Sequence, residues 1–289
     1  MTAGTLIEAP WQIERNGLLT GDLTAFDIRQ IIGLASSAEV RSQDRTLVTR
    51  NGAVPGSDYL NPRSLVMVYE IVEDSADTLS SRLAEFNLAF GPGREEEPLV
   101  FQVPGVAGGV KARVNARVRR RNVPIDMEFN HGVARVTLDL IATDPLLYSN
   151  ELHTSSTSLS GTGGGMTFDV TPDITFGTVS SGGGLSVTNA GNYATSPVFR
   201  IDGPCENPVI ESLTADRSLS FDITLGESQF LVVDVAKRTI LLGGTASRYS
   251  AMQTGSRWFD LEPGSNSLEF RASTSTNAVL EVSHRDAWS

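Results

Sequence analysis

The stretch from Gly109 to Tyr148 constrains this chain more than any other. Ala112, Val114, Ala116 and Val118 alternate with Lys111, Arg113, Asn115, Arg117 and Arg119. A period of two places successive side chains on opposite faces of a strand, so one face is small and apolar and the other strongly basic. From about Val133 to Ala142 the pattern recurs. Ala134, Val136, Leu138 and Leu140 oppose Arg135, Thr137 and Asp139, and Gly132 marks the start. Pro145 has no N–H for a ladder and ends the run before Leu146-Leu147-Tyr148. Residues up to this point read as one mixed domain, and those beyond it as strand and turn.

A chain of 289 residues is long enough for two domains of ordinary size. The net charge is −11. Residues 1–150 carry 15 basic and 19 acidic side chains, and residues 151–289 carry 8 and 15, so both halves are acidic. Bulk charge therefore argues against nucleic-acid binding and favours solubility. No apolar run reaches the ~18 residues of a membrane span, so no membrane insertion is expected. No basic segment followed by an apolar one opens the chain, so no signal peptide is expected. Cys205 is the one cysteine. It excludes an internal disulfide and fits synthesis in a reducing compartment, with the thiol expected in a partly buried turn beside Pro204.

Along the chain, Trp11-Gln12-Ile13 reads as a short strand in an extended arm, and Asn16-Gly17 as a hairpin turn tolerant of positive φ. Trp11 is expected as a core or interface anchor. Phe26 to Leu34 reads as a strand or one short helix. Arg45 to Val48 and Leu65 to Val72 read as strands, separated by a long loop holding Asn51-Gly52, Pro55-Gly56 and Asn61-Pro62. Such a loop either touches a neighbouring subunit or moves freely at the surface.

Asp74 to Phe90 predicts a helix. Asp74 or Ser75 caps it, Asp77 suits its positive end, and Leu79, Leu83, Phe86 and Phe90 form one apolar stripe before Gly91-Pro92-Gly93. Glu95-Glu96-Glu97 reads as a solvated loop, and Leu99 to Val103 as a strand. Residues 151–165, almost entirely Ser, Thr and Gly from Leu152 onward, read as a linker between domains 1–150 and 166–289. A second such stretch runs from Ser180 to Gly184. From Met166 onward short strands alternate with turns, with the clearest patterns at Leu219, Phe221, Ile223 and Leu225 and at Leu268, Phe270 and Ala272. That predicts an antiparallel sandwich.

No catalytic constellation is visible. His131, His153 and His284 are far apart in sequence, without metal-ligand spacing, and read as surface or turn residues. No nucleophile elbow, phosphate loop or zinc-protease helix occurs, and Gly161 to Gly165 fails the dinucleotide pattern. No enzyme activity, cofactor or metal is expected. The basic strand leaves three readings. Arg117, Arg119, Arg120 and Arg121 form a phosphate-binding stripe, or pair across strands with Asp139, Asp126 and Glu128, or meet an acidic partner surface. No aromatic residues interleave, so base stacking is not supported.

The order of parts resembles the distal tail protein family of long, non-contractile-tailed bacteriophages, the siphovirus-type tail component. In the first domain the resemblance lies in the strand pair within Arg45 to Val72, the capped helix ending in Gly-Pro-Gly, and Leu99-Val100-Phe101 with Pro104-Gly105. The Arg-rich strand and the strand closing on Ala142-Thr143-Asp144-Pro145 and Tyr148 complete it. In the second it lies in Asn189-Ala190-Gly191-Asn192, Ser196-Pro197-Val198-Phe199-Arg200-Ile201, Gly203-Pro204, Asp234-Val235, Arg238-Thr239, Trp258, Leu261, Pro263-Gly264, Asn266, Leu268 and Phe270.

The resemblance implies a mainly β chain. Its first domain would be a tail-tube-like β-sandwich or split barrel with one α-helix, and its second a galectin-like, carbohydrate-module-like antiparallel β-sandwich. It implies a structural virion protein at the distal tail tip, made in the host cytoplasm. Six copies would form a ring with a central channel, joining the tail tube protein to the tail-tip hub protein, with the tape-measure protein as a further partner and phage DNA in transit. Within that ring Lys111, Arg113, Arg117 and Arg119 are the expected contacts between subunits or rings. The alternative is a carbohydrate-binding adhesin, with Tyr193, Tyr249 and Trp258 as the available sugar platforms.

Overall fold

The computed structural model describes residues 3–159, 183–275 and 277–289. The chain divides into two units, residues 1–151 with 287–289 and residues 152–286. It is mainly β with few helices, and the expected fold class is borne out.

The first unit is built on one antiparallel sheet. Its strands are β1 (Gln12–Arg15), β2 (Leu18–Gly21), β3 (Phe26–Ile32), β4 (Arg63–Val72), β5 (Glu97–Gln102), β6 (Ala112–Asn122) and β7 (Val133–Ala142), in spatial order β2-β1-β5-β6-β7-β4-β3. Leu147–Ser149 pairs with both β6 and Ala287–Trp288. Asn16 and Gly17 take φ of 48° and 79°, the two left-handed residues that a tight hairpin between β1 and β2 needs. Phe26–Ile32 resolves as strand, not helix. Gly132 opens β7 at φ 85°, where an added Cβ would run into the Glu73 carbonyl.

The alternation in β6 and β7 sorts as the period requires. Ala112, Val114, Ala116, Val118, Ala134, Val136, Leu138 and Leu140 are all buried. Helix α1 (Ala76–Ala89) covers that core with Leu79, Leu83 and Phe86, and Ser75 caps it by accepting the Thr78 N–H. The last turn of α1 contains no basic residue. Other elements supply the missing donors. Arg15 Nε and Asn16 Nδ2 donate to the Ala89 carbonyl at 3.3 and 3.2 Å, and Arg121 Nη1 donates to the carbonyls of Asn87 and Phe90 at 3.4 and 3.3 Å. Cations at this end satisfy the unpaired carbonyls and oppose the helix dipole. Arg121→Ala is expected to cost about 1 kcal/mol, read as faster hydrogen exchange in the last turn of α1.

Several expectations are corrected. Arg45–Thr46 does not join the sheet. It pairs with Ala53–Val54, while Val40–Arg41 pairs with Tyr59–Leu60, so the long connection is a projecting β-arm. Val40, Val48, Val54 and Tyr59 on it are exposed. Within the stretch read as a linker, His153–Ser158 is a strand, because it finds the edge of Val279–His284 and pairs over six residues. Residues 160–165, and 180–182 of the second Ser/Gly stretch, lie outside the described residues, while Gly183 and Gly184 begin a strand.

The second unit is a sandwich of two antiparallel sheets. One orders β8 (His153–Ser158), β16 (Val279–His284), β10 (Val198–Asp202), β13 (Phe230–Asp234) and β14 (Thr239–Leu242). The other orders β9 (Gly183–Asn189), β15 (Gly264–Arg271), β11 (Val209–Ser212) and β12 (Arg217–Ser220). Phe199, Ile201, Leu231, Val233, Leu280 and Val282 from the first meet Val187, Ile210, Leu219, Leu268 and Phe270 from the second in one core. The run Leu219 to Leu225 is two short strands in different ladders, although Leu219, Phe221 and Leu225 are all buried. Cys205 is buried as expected, and burial pushes its thiol up to about 11, so it is a poor nucleophile.

Candidate assembly surface

The register of β6 against β7 decides where the arginines go. Arg117 pairs with Ile141 and Val118 with Leu140, but Arg120 pairs with Asp139. Arg119 is the extra residue of a bulge. A bulge reverses the alternation beyond it, which turns Arg121 inward to the end of α1 and leaves Arg119 and Arg120 exposed.

The four predicted contact residues therefore differ. Lys111 precedes the strand, and its ammonium donates to the Ile7 carbonyl at 2.5 Å, so it fastens the N-terminal segment. Arg113 is half-buried, donates to Asn115 Oδ1 at 3.3 Å, and has its pKa lowered by desolvation. Arg117 donates to the Arg94 carbonyl at 3.3 Å while its Nε is buried without a partner. Arg119 stands in solvent.

Cross-strand pairing does not absorb this charge. Glu128 and Glu70 pair with Arg135, and Glu70 also with Arg29. Among the described residues Arg113, Arg117, Arg119 and Arg120 make no ion pair. In an acidic chain, four neighbouring cations that close no ion pair, although Asp139 lies opposite Arg120 in register, form a surface suited to an acidic partner.

A second feature lies on the same unit. Trp11 is not in the core. It is 54% exposed, at φ 64°, beside a cavity of about 280 Å³ lined by Ile28, Ile31, Leu34, Val103 and Val106. Amphipathic rings so placed are typical of interface anchors.

Sequence reasoning missed two buried cations. Arg15, 2% exposed, donates to the Ala116 carbonyl at 2.9 Å, pairs with Glu97 at 3.3 Å and lies over the Phe90 ring at 5.9 Å. Desolvation lowers its pKa, and Glu97 partly opposes the shift. Glu97 is thus a structural counter-ion and not part of a free acidic loop. Arg63 donates to the carbonyls of Pro145, Gly33 and Ser36 at 2.6, 2.7 and 2.5 Å, clamping the segment after β3 and the turn at Pro145 onto the start of β4.

In the second unit Tyr249 and Trp258 stack with ring centroids 6.5 Å apart, Tyr249 being 52% exposed and Trp258 half-buried at the core edge. Asn189 shapes the turn to Tyr193 by donating to its carbonyl at 2.8 Å. Among the described residues no group of three or more His, Cys, Asp or Glu is placed to hold a metal, and no helix is long and apolar enough to cross a membrane.

Residues 190–288 match the family model of the siphovirus-type tail component, C-terminal domain. No curated protein matches the chain by sequence. Among solved structures, SPP1 Dit (gp 19.1), described as a paradigm of the hub adsorption apparatus in phages infecting Gram-positive hosts, is similar at a TM-score of 0.65 and 16% identity. The match covers 94% of this chain and 97% of that one, so the fold is shared across both units. A chain of the phage P2 baseplate in its activated conformation with Ca is similar at a TM-score of 0.48 and 10% identity, covering 94% of this chain and 97% of that one. The resemblance seen in the sequence is thus borne out.

Proposed function

We propose that this chain, whose residues 190–288 carry the pattern of a siphovirus-type tail component, is a structural protein of the distal phage tail. In this reading six copies close into a ring between the tail tube protein and the tail-tip hub protein, leaving a channel through which DNA passes. The tape-measure protein is a further neighbour. The chain is made in the host cytoplasm and ends in the virion. The family match carries the reading, and the fold shared with SPP1 Dit over both units supports it. Gold-labelled antibody against the chain is expected to mark the far end of the tail on intact virions. Labelling elsewhere, or none on disrupted tails, contradicts the reading.

Within the ring, the unpaired arginines of β6 meet an acidic surface of the adjoining subunit or the next ring. A head-to-tail contact of this kind closes when its rotation is an integral fraction of a turn. The apolar groove beside Trp11 and the exposed arm from Val40 to Leu60 offer further contact area. Reversing both charges, Arg117→Glu with Arg119→Glu, is expected to move the chain from ring to single copies in sizing chromatography and to stop tail assembly, with the circular dichroism unchanged. Unchanged rings and tails would remove the arginines from the contact.

A second reading rests on the stacked Tyr249–Trp258 pair, a surface on which a pyranose ring packs. As an adhesin, the chain would bind one glycan class saturably on an array, and Tyr249→Ala would abolish that binding.

A further inference from the structure

Two histidines far apart in sequence are neighbours in space. His153 opens β8, His284 closes β16, and the two strands pair them directly. Their ring centroids are 5.5 Å apart. Asp286 joins them. Its carboxylate lies 3.2 Å from His153 Nε2 and 3.7 Å from His284 Nε2, and it accepts the Ala190 N–H at 2.8 Å. His284 Nε2 is also 3.0 Å from the Thr188 carbonyl at the end of β9. The two rings are thus not far apart in space, and the expectation of a surface residue is overturned for His284, whose side chain is 2% exposed, while that of His153 is 37% exposed and that of Asp286 10%. The chain passes between units next to residues 151 and 286, so the cluster sits within two residues of both passages.

The hydrogen bonds fix the protonation of His284. A carbonyl only accepts, so Nε2 carries the proton toward Thr188, and Nδ1 is the bare nitrogen. Nδ1 is buried with no partner. A second proton would have to enter there, where no acceptor lies within hydrogen-bond reach. From β8 the group facing His284 is His153, from the segment after β16 it is Asp286, and from β9 it is the neutral Thr188 carbonyl. Arg285 lies between His284 and Asp286 in the chain.

We propose that His153, His284 and Asp286 form an acid-sensitive clasp that ties the ends of β8, β9 and β16 together, closed when His284 is neutral and opened when it is protonated. The imidazolium must leave the buried site to be solvated, which gives up the Thr188 bond and frees the Asp286–Ala190 contact. Burial lowers the His284 pKa, with Thr188 and Asp286 opposing and His153 assisting. A histidine depressed in the folded state contributes stability that is complete above its unfolded value, near 6.5, and is lost as pH falls toward the folded value. The clasp therefore weakens on acidification.

Hydrogen exchange on the full chain, expressed as protection factors at pH about 7.5 and about 5, tests this. Protection of the Ala190 amide and of the β8–β16 ladder is expected to fall in acid, by about tenfold per unit of difference between open- and closed-state pKa. His284→Gln keeps a donor for Thr188 that does not titrate, and is expected to abolish the loss. His153→Gln keeps the fold at neutral pH and removes a group that depresses His284, so its transition is expected at higher pH. Acid-insensitive protection in the unmodified chain, an equal loss in His284→Gln, or a transition in His153→Gln that stays in place or moves lower overturns the proposal.

Discussion

Replacing Phe86 with alanine is expected to cost the first unit about 3–5 kcal/mol, the range for removing a large buried ring. Phe86 is fully buried. It stacks on Phe90 at 4.6 Å, meets Tyr69 edge-on at 5.1 Å and lies 5.7 Å from Phe26. Those rings come from the C-cap of α1, from β4 and from β3, so Phe86 is the point at which the helix is held to the sheet. The cavity left behind would be walled by aromatic side chains that cannot collapse into it. The measurement is amide exchange of the Val133–Ala142 strand. A chain with two units need not unfold in one transition, and a strand-resolved probe reports the first unit alone. A loss below about 1 kcal/mol would mean that the helix is not fixed through this ring.

The second large effect is at Arg15. Arg15→Ala is expected to destabilise the same unit by about 2–4 kcal/mol, the scale for taking a charged donor away from two buried carbonyls; Glu97, 46% exposed, is left solvated and adds little. The guanidinium serves the Ala89 and Ala116 carbonyls at once, and removing it leaves both without that donor. Packing over Phe90 is lost as well. Arg15→Lys keeps the charge but not the planar fork, so it is expected to recover only part of the loss. The order arginine, lysine, alanine in protection of α1 is the expected result, and equal protection in all three contradicts the assignment.

What was legible in the sequence was local. The alternation of Ala112 to Val118 and of Ala134 to Leu140 set two strands and their buried faces, and Leu79, Leu83 and Phe86 set the face of α1. Asn16-Gly17 named its own turn. What was not legible depended on partners distant in the chain. A bulge at Arg119 has no local signature, yet it decides that Arg121 caps a helix while Arg119 meets solvent. His153 looked like part of a tether because its neighbours are Ser and Thr, and only the edge of Val279–His284 makes it a strand and places it beside His284. Nothing in the sequence singled out Arg15 and Arg63, because the carbonyls that hold them lie tens of residues away in the chain. The arginine surface was seen as a pattern, but its lack of ion pairs became visible only once Glu70 and Glu128 were found committed to Arg135.

The arm and the unpaired arginines gain a common purpose if copies of the chain meet one another. Single-particle electron cryo-microscopy of the purified full-length protein addresses this most directly. The account predicts closed rings of six copies around an open centre, with β6 at a boundary between copies or on a face that stacks on the next ring. Single copies at every concentration, both alone and mixed with the tail tube protein, would contradict it.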